Sequence, residues 1–516
     1  MSPGLGAGQA IGLTRSIETS ANPLSLYRTL TDGGQRRDTF LMERSTGPTV
    51  LMDRAALRAE CRGQRVTLTA LSDNGLLAIK AAAAHLANRI VSREPYAVTL
   101  EFPRPAGNEL ETRLHAPSPL DALRALLSLG VQSIEEPFTL ALLGVSAFDQ
   151  AGIFEDLPAS AEDPLGFPDY LYWLAESLIV FEPNAHPRLI CMAYGSADQK
   201  QAERTFFGAA DRLSRLAERC LAGKAEPSSP VHLLAGVRPE VDLDDREFAA
   251  IVERLRGEIA AGEVYQIVPS RTFSAPCPNP LEAFERLIEL DPSPYQFFVS
   301  APDHMLFGAS PETSVRICAG PDGNLVEVKP IAGTRPRGAS ADEDDRMEAE
   351  LRLNEKELAE HMMLVDLARN DVARISESGT RRVPRLMSVE RYARVMHLVS
   401  SVTGTLRNGL DAFHALQACL NVGTLSGAPK IRATELLRTV ERTRRGPYGG
   451  AVGWLNGAGS MDTGVVIRSA TVKNGVDYVR AGAGVVHDSD PQAEADETRR
   501  KASALLSVLC PSEATA

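Results

Sequence analysis

A chain of 516 residues, 44% hydrophobic and 24% charged, can bury large cores and has room for two to four domains at roughly 150 residues each. Its formal net charge of −12 and pI of about 5.4 argue against nucleic acid or an anionic membrane as main partner, so an anionic substrate needs a local concentration of Arg, Lys, backbone amides or a metal. The seven Cys are scattered, odd in number and free of Cys-x-x-Cys spacing, which fits the reduced thiols of a cytoplasmic protein, and no apolar run approaches the roughly 20 residues of a membrane span.

Residues 1–20 are Gly-rich, lack a basic start and an apolar core, and read as a disordered leader rather than a secretory signal. The next stretch, 21–222, alternates apolar runs with turn residues. Strands are expected over 39–43, 66–70 and 96–102 and helices over 75–90, 120–129 and 201–221, which makes an N-terminal α+β domain. A Pro- and Ser-rich segment opens a linker over 223–240, and 241–516 forms the C-terminal domain. In it, 245–261 reads as an amphipathic helix, 264–268 as a buried strand, 356–371 as a helix, 478–481 as a strand and 498–509 as a helix. Gly482-Ala-Gly484 follows a strand but has neither a third glycine nor a helix behind it, so it is not a dinucleotide fingerprint.

Glu357 and Glu360 lie three apart on the 356–371 helix and project from one face. The spacing recurs as Glu494 and Glu497 at the head of the last helix. One Glu-x-x-Glu is usually a solvated acidic face; two of them can share a hard cation, and a few carboxylates with retained water is how Mg2+ is commonly bound. Around them the C-terminal half is dense in small and polar residues: Lys329-Pro-Ile-Ala-Gly-Thr-Arg-Pro-Arg-Gly338, Gly423-Thr-Leu-Ser-Gly-Ala-Pro-Lys430 before a helix near Pro429, and Gly446-Pro-Tyr-Gly-Gly450. Arg468, inside the apolar run 464–470, requires an anionic partner if buried. Together these suggest a pocket for a small acid with more than one carboxylate.

Phe307-Gly-Ala-Ser-Pro-Glu312, 330–337, 356–371, 424–430 and 481–498 resemble, in order and spacing, the chorismate-utilising enzymes, and most closely the bacterial anthranilate synthase component I family. The resemblance runs from about Asn22 and is strongest from Asp245 onward. It implies an α+β fold of stacked, mainly antiparallel sheets with helices packed outside, an active site in the C-terminal half, and a Mg2+-dependent lyase reaction of chorismate with ammonia to give anthranilate and pyruvate. It further implies Glu360 and Glu497 as direct metal ligands with Glu357 and Glu494 acting largely through water. Gly333, Thr334, Thr424, Tyr448, Arg468, Gly482, Gly484 and Lys501 match positions that hold chorismate.

A leaving hydroxide needs a proton donor, and Glu312 matches the family's general acid. His397 is the base expected for loss of pyruvate. Relatives that add water carry Lys where this chain has Gln266, and a neutral amide cannot easily activate water. Relatives that form aminodeoxychorismate carry Lys where this chain has Ala332. A 2-amino-2-deoxyisochorismate synthase or a non-catalytic ligand-binding subunit are the alternatives. No Cys sits in a Gly-x-Cys-x-Gly elbow, so by resemblance ammonia comes from a separate glutamine amidotransferase subunit in a hetero-oligomer.

The N-terminal half of the family holds tryptophan as a feedback effector through a Leu-Leu-Glu-Ser motif and an Asn-Pro-Ser-Pro-Tyr-Met segment. Here these read Leu41-Met-Glu43-Arg44, followed by Ser45, and Asp291-Pro-Ser-Pro294-Tyr295-Gln296. A long cation in place of a small hydroxyl costs on the order of 1–3 kcal/mol of fit, so weakened tryptophan inhibition and service of a secondary pathway are expected.

Overall fold

The computed structural model describes residues 4–105, 107, 110–132, 136–159, 162–222, 238–321, 323–392 and 395–509. Its apolar strands do not alternate cleanly with polar residues because both of their faces are covered. On Thr39–Arg44, Phe40 and Met42 enter one core while Leu41 enters another; Thr49–Arg62 divides Val50 and Met52 from Leu51 in the same way, and Tyr295–Ser300 divides Phe297 and Val299 from Phe298. This is the period of two expected of a strand. Helices Asp73–His85, Leu120–Leu127, Glu355–Ile375 and Ala412–Cys419 close the first core through Leu77, Leu123, Val365 and Leu416. Helices Pro23–Leu30, Gln199–Ala222, Pro280–Leu290 and Pro491–Leu509 close the second through Leu26, Leu216, Phe284 and Leu505.

Among the described residues 23 strands form one continuous hydrogen-bonded sheet, antiparallel except for the short pairing of Gln9 and Ala10 with Gly130 and Val131, and Gln266–Ile267 with Gly427–Ala428 makes a separate two-stranded ribbon. The fold is α+β, as the sequence implies. Thr39–Arg44 pairs with Tyr295–Ser300, and Ala141–Ser146 with Ala451–Asn456. Strands from both sides of the expected linker are therefore interleaved in one sheet; 223–237 itself lies outside the described residues.

The leader expectation is corrected. Gln9–Ser16 is a strand, in register with Arg188–Tyr194 from Ala10↔Tyr194 to Ser16↔Arg188. Ala10 is buried in the first core, and Ile11 and Leu13 pack on the second. The strand expected over 264–268 is reduced to Gln266–Ile267, which pairs with Gly427–Ala428, while Ile267 also bridges to Val485. Among the described residues no helix is long and apolar enough to cross a membrane.

Candidate active site

The Glu355–Ile375 helix starts where Asn354 caps it, its side chain accepting from Glu357 N at 3.0 Å. Pro491–Leu509 starts with Asp490 accepting from Ala493 N at 2.8 Å. Each helix thus presents its glutamate pair within the first turns. Burial raises the Glu360 carboxyl above its ordinary range; Lys356 opposes this, and the carboxylates of Glu357, Glu494 and Glu497 add to it. Glu494 is raised by burial too, with a further contribution from Glu497. For Glu497 burial pushes upward, but Lys501 at 2.8 Å outweighs it and the net shift is downward.

The four acids therefore face one another, as the sequence implies, but not as a closed ligand set. Among the described residues no three His, Cys, Asp or Glu side chains stand at metal-binding spacing. Cations separate them instead: Lys356 is 3.9 Å from Glu360, Lys501 2.8 Å from Glu497 and Arg335 3.1 Å from Glu357. The donor set, hard oxygens in mutual repulsion, still fits a divalent cation that displaces the lysines.

Strand Ile331–Pro336 runs beside Val395–Thr405 and sets Thr334 opposite His397. Gly333 has φ +70°, and a Cβ there would come within 3.1 Å of Glu357 Oε2, so this turn of backbone can lie against the acid cluster only as glycine. His397 Nδ1 is 3.2 Å from the Gly333 carbonyl and 3.0 Å from Thr334 Oγ1. The carbonyl can only accept, so Nδ1 carries the proton and the buried Nε2, which has no partner among the described residues, presents a lone pair. Burial, and then the Arg468 guanidinium, hold the ring down at about 4, which keeps it neutral.

Glu312 lies just before Thr313–Cys318, its backbone carbonyl accepting from Val465 N. Its side chain is enclosed and accepts from Thr424 Oγ1 at 2.8 Å. Burial pushes this carboxyl up to about 8, against the opposing effects of Thr424 and Lys501, so it holds its proton at neutral pH.

Between these groups Lys501 Nζ donates to the Gly482 carbonyl at 3.0 Å. The Tyr448 hydroxyl lies close enough to Gly482 that a Cβ would come within 3.0 Å of it. At Gly484 a Cβ would meet Gln266 Nε2 at 2.8 Å; the missing side chain makes room for the amide, whose buried Oε1 has no partner among the described residues. Arg468 is half-buried rather than buried and pairs with Asp291, 2.9 Å away. Glu312 is thus bonded to Thr424, His397 lies against Gly333 and Thr334 and feels Arg468, and Lys501 joins Glu497 to the Gly482 carbonyl.

Beneath Tyr448 lies a network that motif reading passes over. Glu441 binds Arg445, Arg480 and Ser270, while Arg445 also donates to the carbonyls of Leu425 and Val268 at 2.6 Å each. This fully satisfied cluster ties together the segments carrying Gln266, Thr424 and Gly482. Arginine inside a predicted strand, at Arg480, was the available signal.

The expected effector residues also meet. Tyr295 is opposite Arg44, Gln296 opposite Glu43, and Ser45 N donates to the Pro294 carbonyl. Arg44 lies 3.6 Å above the Tyr295 ring and 3.1 Å from Asp462, with side-chain exposures of 4% and 3% for Arg44 and Asp462. Ser45 is exposed. Burial raises the Glu43 carboxyl to about 7.

Residues 84–507 match the chorismate binding enzyme family. The chain is 44% identical over 517 residues to anthranilate synthase component 1 of Vibrio cholerae, covering 96% of each chain. It is 46% identical over 485 residues to the pyocyanine-specific anthranilate synthase component 1 of Pseudomonas aeruginosa, covering 89% of this chain and 86% of the other. The crystal structure of anthranilate synthase component I from Streptococcus pneumoniae is similar with a TM-score of 0.67 at 29% identity, over 90% of this chain and 93% of that one.

Proposed function

The chain belongs to the chorismate binding enzyme family, in its anthranilate synthase component 1 branch, and from this premise we propose that it converts chorismate and ammonia to anthranilate, pyruvate and water with Mg2+ as cofactor. The observation that carries the reading is a pair of oppositely tuned groups: a buried carboxylic acid, Glu312, held at about 8, and a buried neutral imidazole, His397, held at about 4. Acid and base that are both in working form at neutral pH are what the two proton transfers of this reaction require.

Ammonia adds to the ring carbon next to the carboxyl-bearing one; the ring double bonds shift, and the C4 hydroxyl leaves as water with the Glu312 proton. The orphan Oε1 of Gln266 is placed to accept an N–H of the incoming ammonia. His397 Nε2 then takes the proton from the carbon that bears the new nitrogen, and the enolpyruvyl group departs as pyruvate once its methylene carbon is protonated. Glu357, Glu360, Glu494 and Glu497 would hold Mg2+, which supplies positive charge for the ring carboxylate. Arg468, Tyr448, Lys501 and the backbone at Gly482 and Gly484 are the groups available to the second carboxylate and the enolpyruvyl ether.

Ammonia is supplied by a glutamine amidotransferase subunit in a hetero-oligomer, since this chain carries no glutaminase nucleophile. Tryptophan is a weak effector because Arg44 already fills the space between Tyr295 and Asp462, and the chain serves a secondary pathway, as its pyocyanine-specific relative is named for doing.

The test incubates the pure chain with chorismate, Mg2+ and ammonium and follows anthranilate fluorescence and pyruvate together. Equal amounts of both are expected, with Glu360→Gln lowering the rate and raising the Mg2+ requirement. Turnover of chorismate without pyruvate would reassign the chain to aminodeoxyisochorismate synthesis.

A further inference from the structure

Between the Glu355–Ile375 helix and the short helix Gly423–Ser426 a cleft of about 320 Å3, partly open to solvent, runs in to Glu312. Leu364, Leu367, Ala368 and Asp371 recur at three- and four-residue spacing and form its helical wall. Lys329, in the loop between strands Leu325–Val328 and Ile331–Pro336, marks a solvent side, its side chain 31% exposed. Two further polar groups border the space: the Thr424 hydroxyl, which donates to Glu312 at 2.8 Å, and the Asp371 carboxylate, which accepts from Lys430. Charged groups and a hydroxyl on its walls make a space of this size a place for water, where a purely apolar one stays dry. Gln266, His397, Tyr448 and Lys501 do not line it. The cleft therefore reaches the general acid without passing the groups assigned to ammonia and chorismate.

The proton balance of the reaction gives that approach a use. Ammonia brings three hydrogens and the amine keeps two, while the proton that His397 removes from carbon is matched by the one the methylene carbon takes up. The surplus proton is shed at nitrogen, beside Gln266, whereas the proton that left with the C4 hydroxyl came from Glu312. Glu312 is only 5% exposed and has to regain a proton before the next turnover. When it loses that proton the ring is still bound, awaiting the second step, so its substrate side is covered. We propose that the cleft is the proton-return path of Glu312: a proton from bulk solvent passes along water held beside Lys329, Asp371 and Thr424 to the Glu312 carboxylate, and the surplus proton leaves the nitrogen for solvent separately. The inference rests on the role given to Glu312 above. The Thr424 hydroxyl can close the path, because its oxygen accepts from water while its O–H donates to Glu312. A rear path also keeps water away from the ring carbon, where it would compete with ammonia.

The experiment uses the full chain with ammonium as nitrogen source and changes the width of the cleft. Leu367→Phe narrows it, as does Leu364→Phe three residues earlier on the same helix, which carries the test where the first variant does not fold; Leu367→Ala widens it. The readings are the first turnover with enzyme in excess over chorismate, the steady-state kcat in H2O and in D2O, and KM for ammonia. Glu312 starts protonated, so the Phe variants match the wild type in the first turnover. Their steady-state kcat falls about tenfold, short of the ~10²–10⁴ that a lost proton transfer costs, and its solvent isotope effect rises. Leu367→Ala keeps wild-type values throughout. A wild-type steady state in both folded Phe variants overturns the proposal, and so does a first turnover slowed in proportion to kcat. A raised KM for ammonia at unchanged kcat gives the cleft to the nucleophile and also overturns it. A wild-type chain that makes no anthranilate from ammonium, or a Glu312→Gln variant at full rate, refutes the reading of the site itself, which separates that failure from a failure of the cleft.

Discussion

Glu312 offers the sharpest test of the chemistry, because its environment fixes both a direction and a size. With its carboxyl pushed up to about 8, the protonated form outnumbers the ionised one by roughly ten to one at pH 7 and is outnumbered by the same factor at pH 9. A general acid works only while it holds its proton, so kcat/KM for chorismate falls through about pH 8 and then roughly tenfold per pH unit. The assay measures it from pH 6 to 10 at a fixed concentration of unprotonated ammonia, so that ammonia's own ionisation does not enter. Thr424 donates to the carboxyl at 2.8 Å and favours the ionised form; Thr424→Val removes a hydrogen bond of about 1 kcal/mol and moves the limb upward by roughly 0.7 pH unit. Glu312→Gln lowers the rate by ~10²–10⁴ and abolishes the limb. A descending limb that survives at the same pH in Glu312→Gln, or that moves downward in Thr424→Val, would refute the assignment.

Three further outcomes follow from the same geometry. His397→Gln removes the free Nε2 and uncouples the two halves of the reaction: chorismate is consumed, an amino intermediate accumulates by chromatography, and pyruvate release drops by ~10²–10⁴; pyruvate in wild-type yield would exclude His397 as base. Gly484→Ala puts a methyl 2.8 Å from Gln266 Nε2, and displacing that amide costs on the order of 1–3 kcal/mol, read as a loss of roughly 5- to 150-fold in kcat/KM for ammonia with an unchanged circular dichroism spectrum. Arg44→Ser opens the space above Tyr295, so tryptophan inhibition tightens by at least tenfold while the melting temperature falls; an inhibition curve that coincides with the wild type contradicts the blocked-site reading.

What could be read from the sequence was what rests on local spacing. The 3.6-residue period places Glu357 beside Glu360 and Glu494 beside Glu497 on any helix that carries them; the first helix is where the pattern puts it, while the last begins at Pro491, seven residues before the expected 498. Strand Gln9–Ser16 escaped because its flanking glycines look like a leader, and because the partner that makes it a strand, Arg188–Tyr194, is more than 170 residues away. Pairings of charge across such distances have no local signature either. Arg468 visibly needed an anion, but nothing near it in sequence names Asp291, and Arg445 could be tied to Glu441 but not to the carbonyls of Val268 and Leu425. The spacing between the two glutamate pairs is a tertiary quantity as well. Nothing in either motif points to the lysines and arginine that pair with these glutamates, Lys356, Lys501 and Arg335.

The Arg44–Asp462 pair sets the size of the barrier met by any ligand that competes for its place. Removing one member of a buried ion pair leaves the other charge unpaired at roughly 3–5 kcal/mol, so any ligand that had to displace the Arg44 guanidinium from Asp462 would lose between about two and four orders of magnitude in affinity. That cost exceeds the fit penalty expected from side-chain size alone. The same carboxylate binds the Tyr295 hydroxyl at 2.8 Å, and Tyr295 lies 2.9 Å from Thr313 Oγ1, on the residue directly after Glu312. Arg44, Asp462, Tyr295 and Thr313 thus form one chain of contacts from position 44 to the strand that begins beside Glu312, and Arg44→Ser breaks it at its first link.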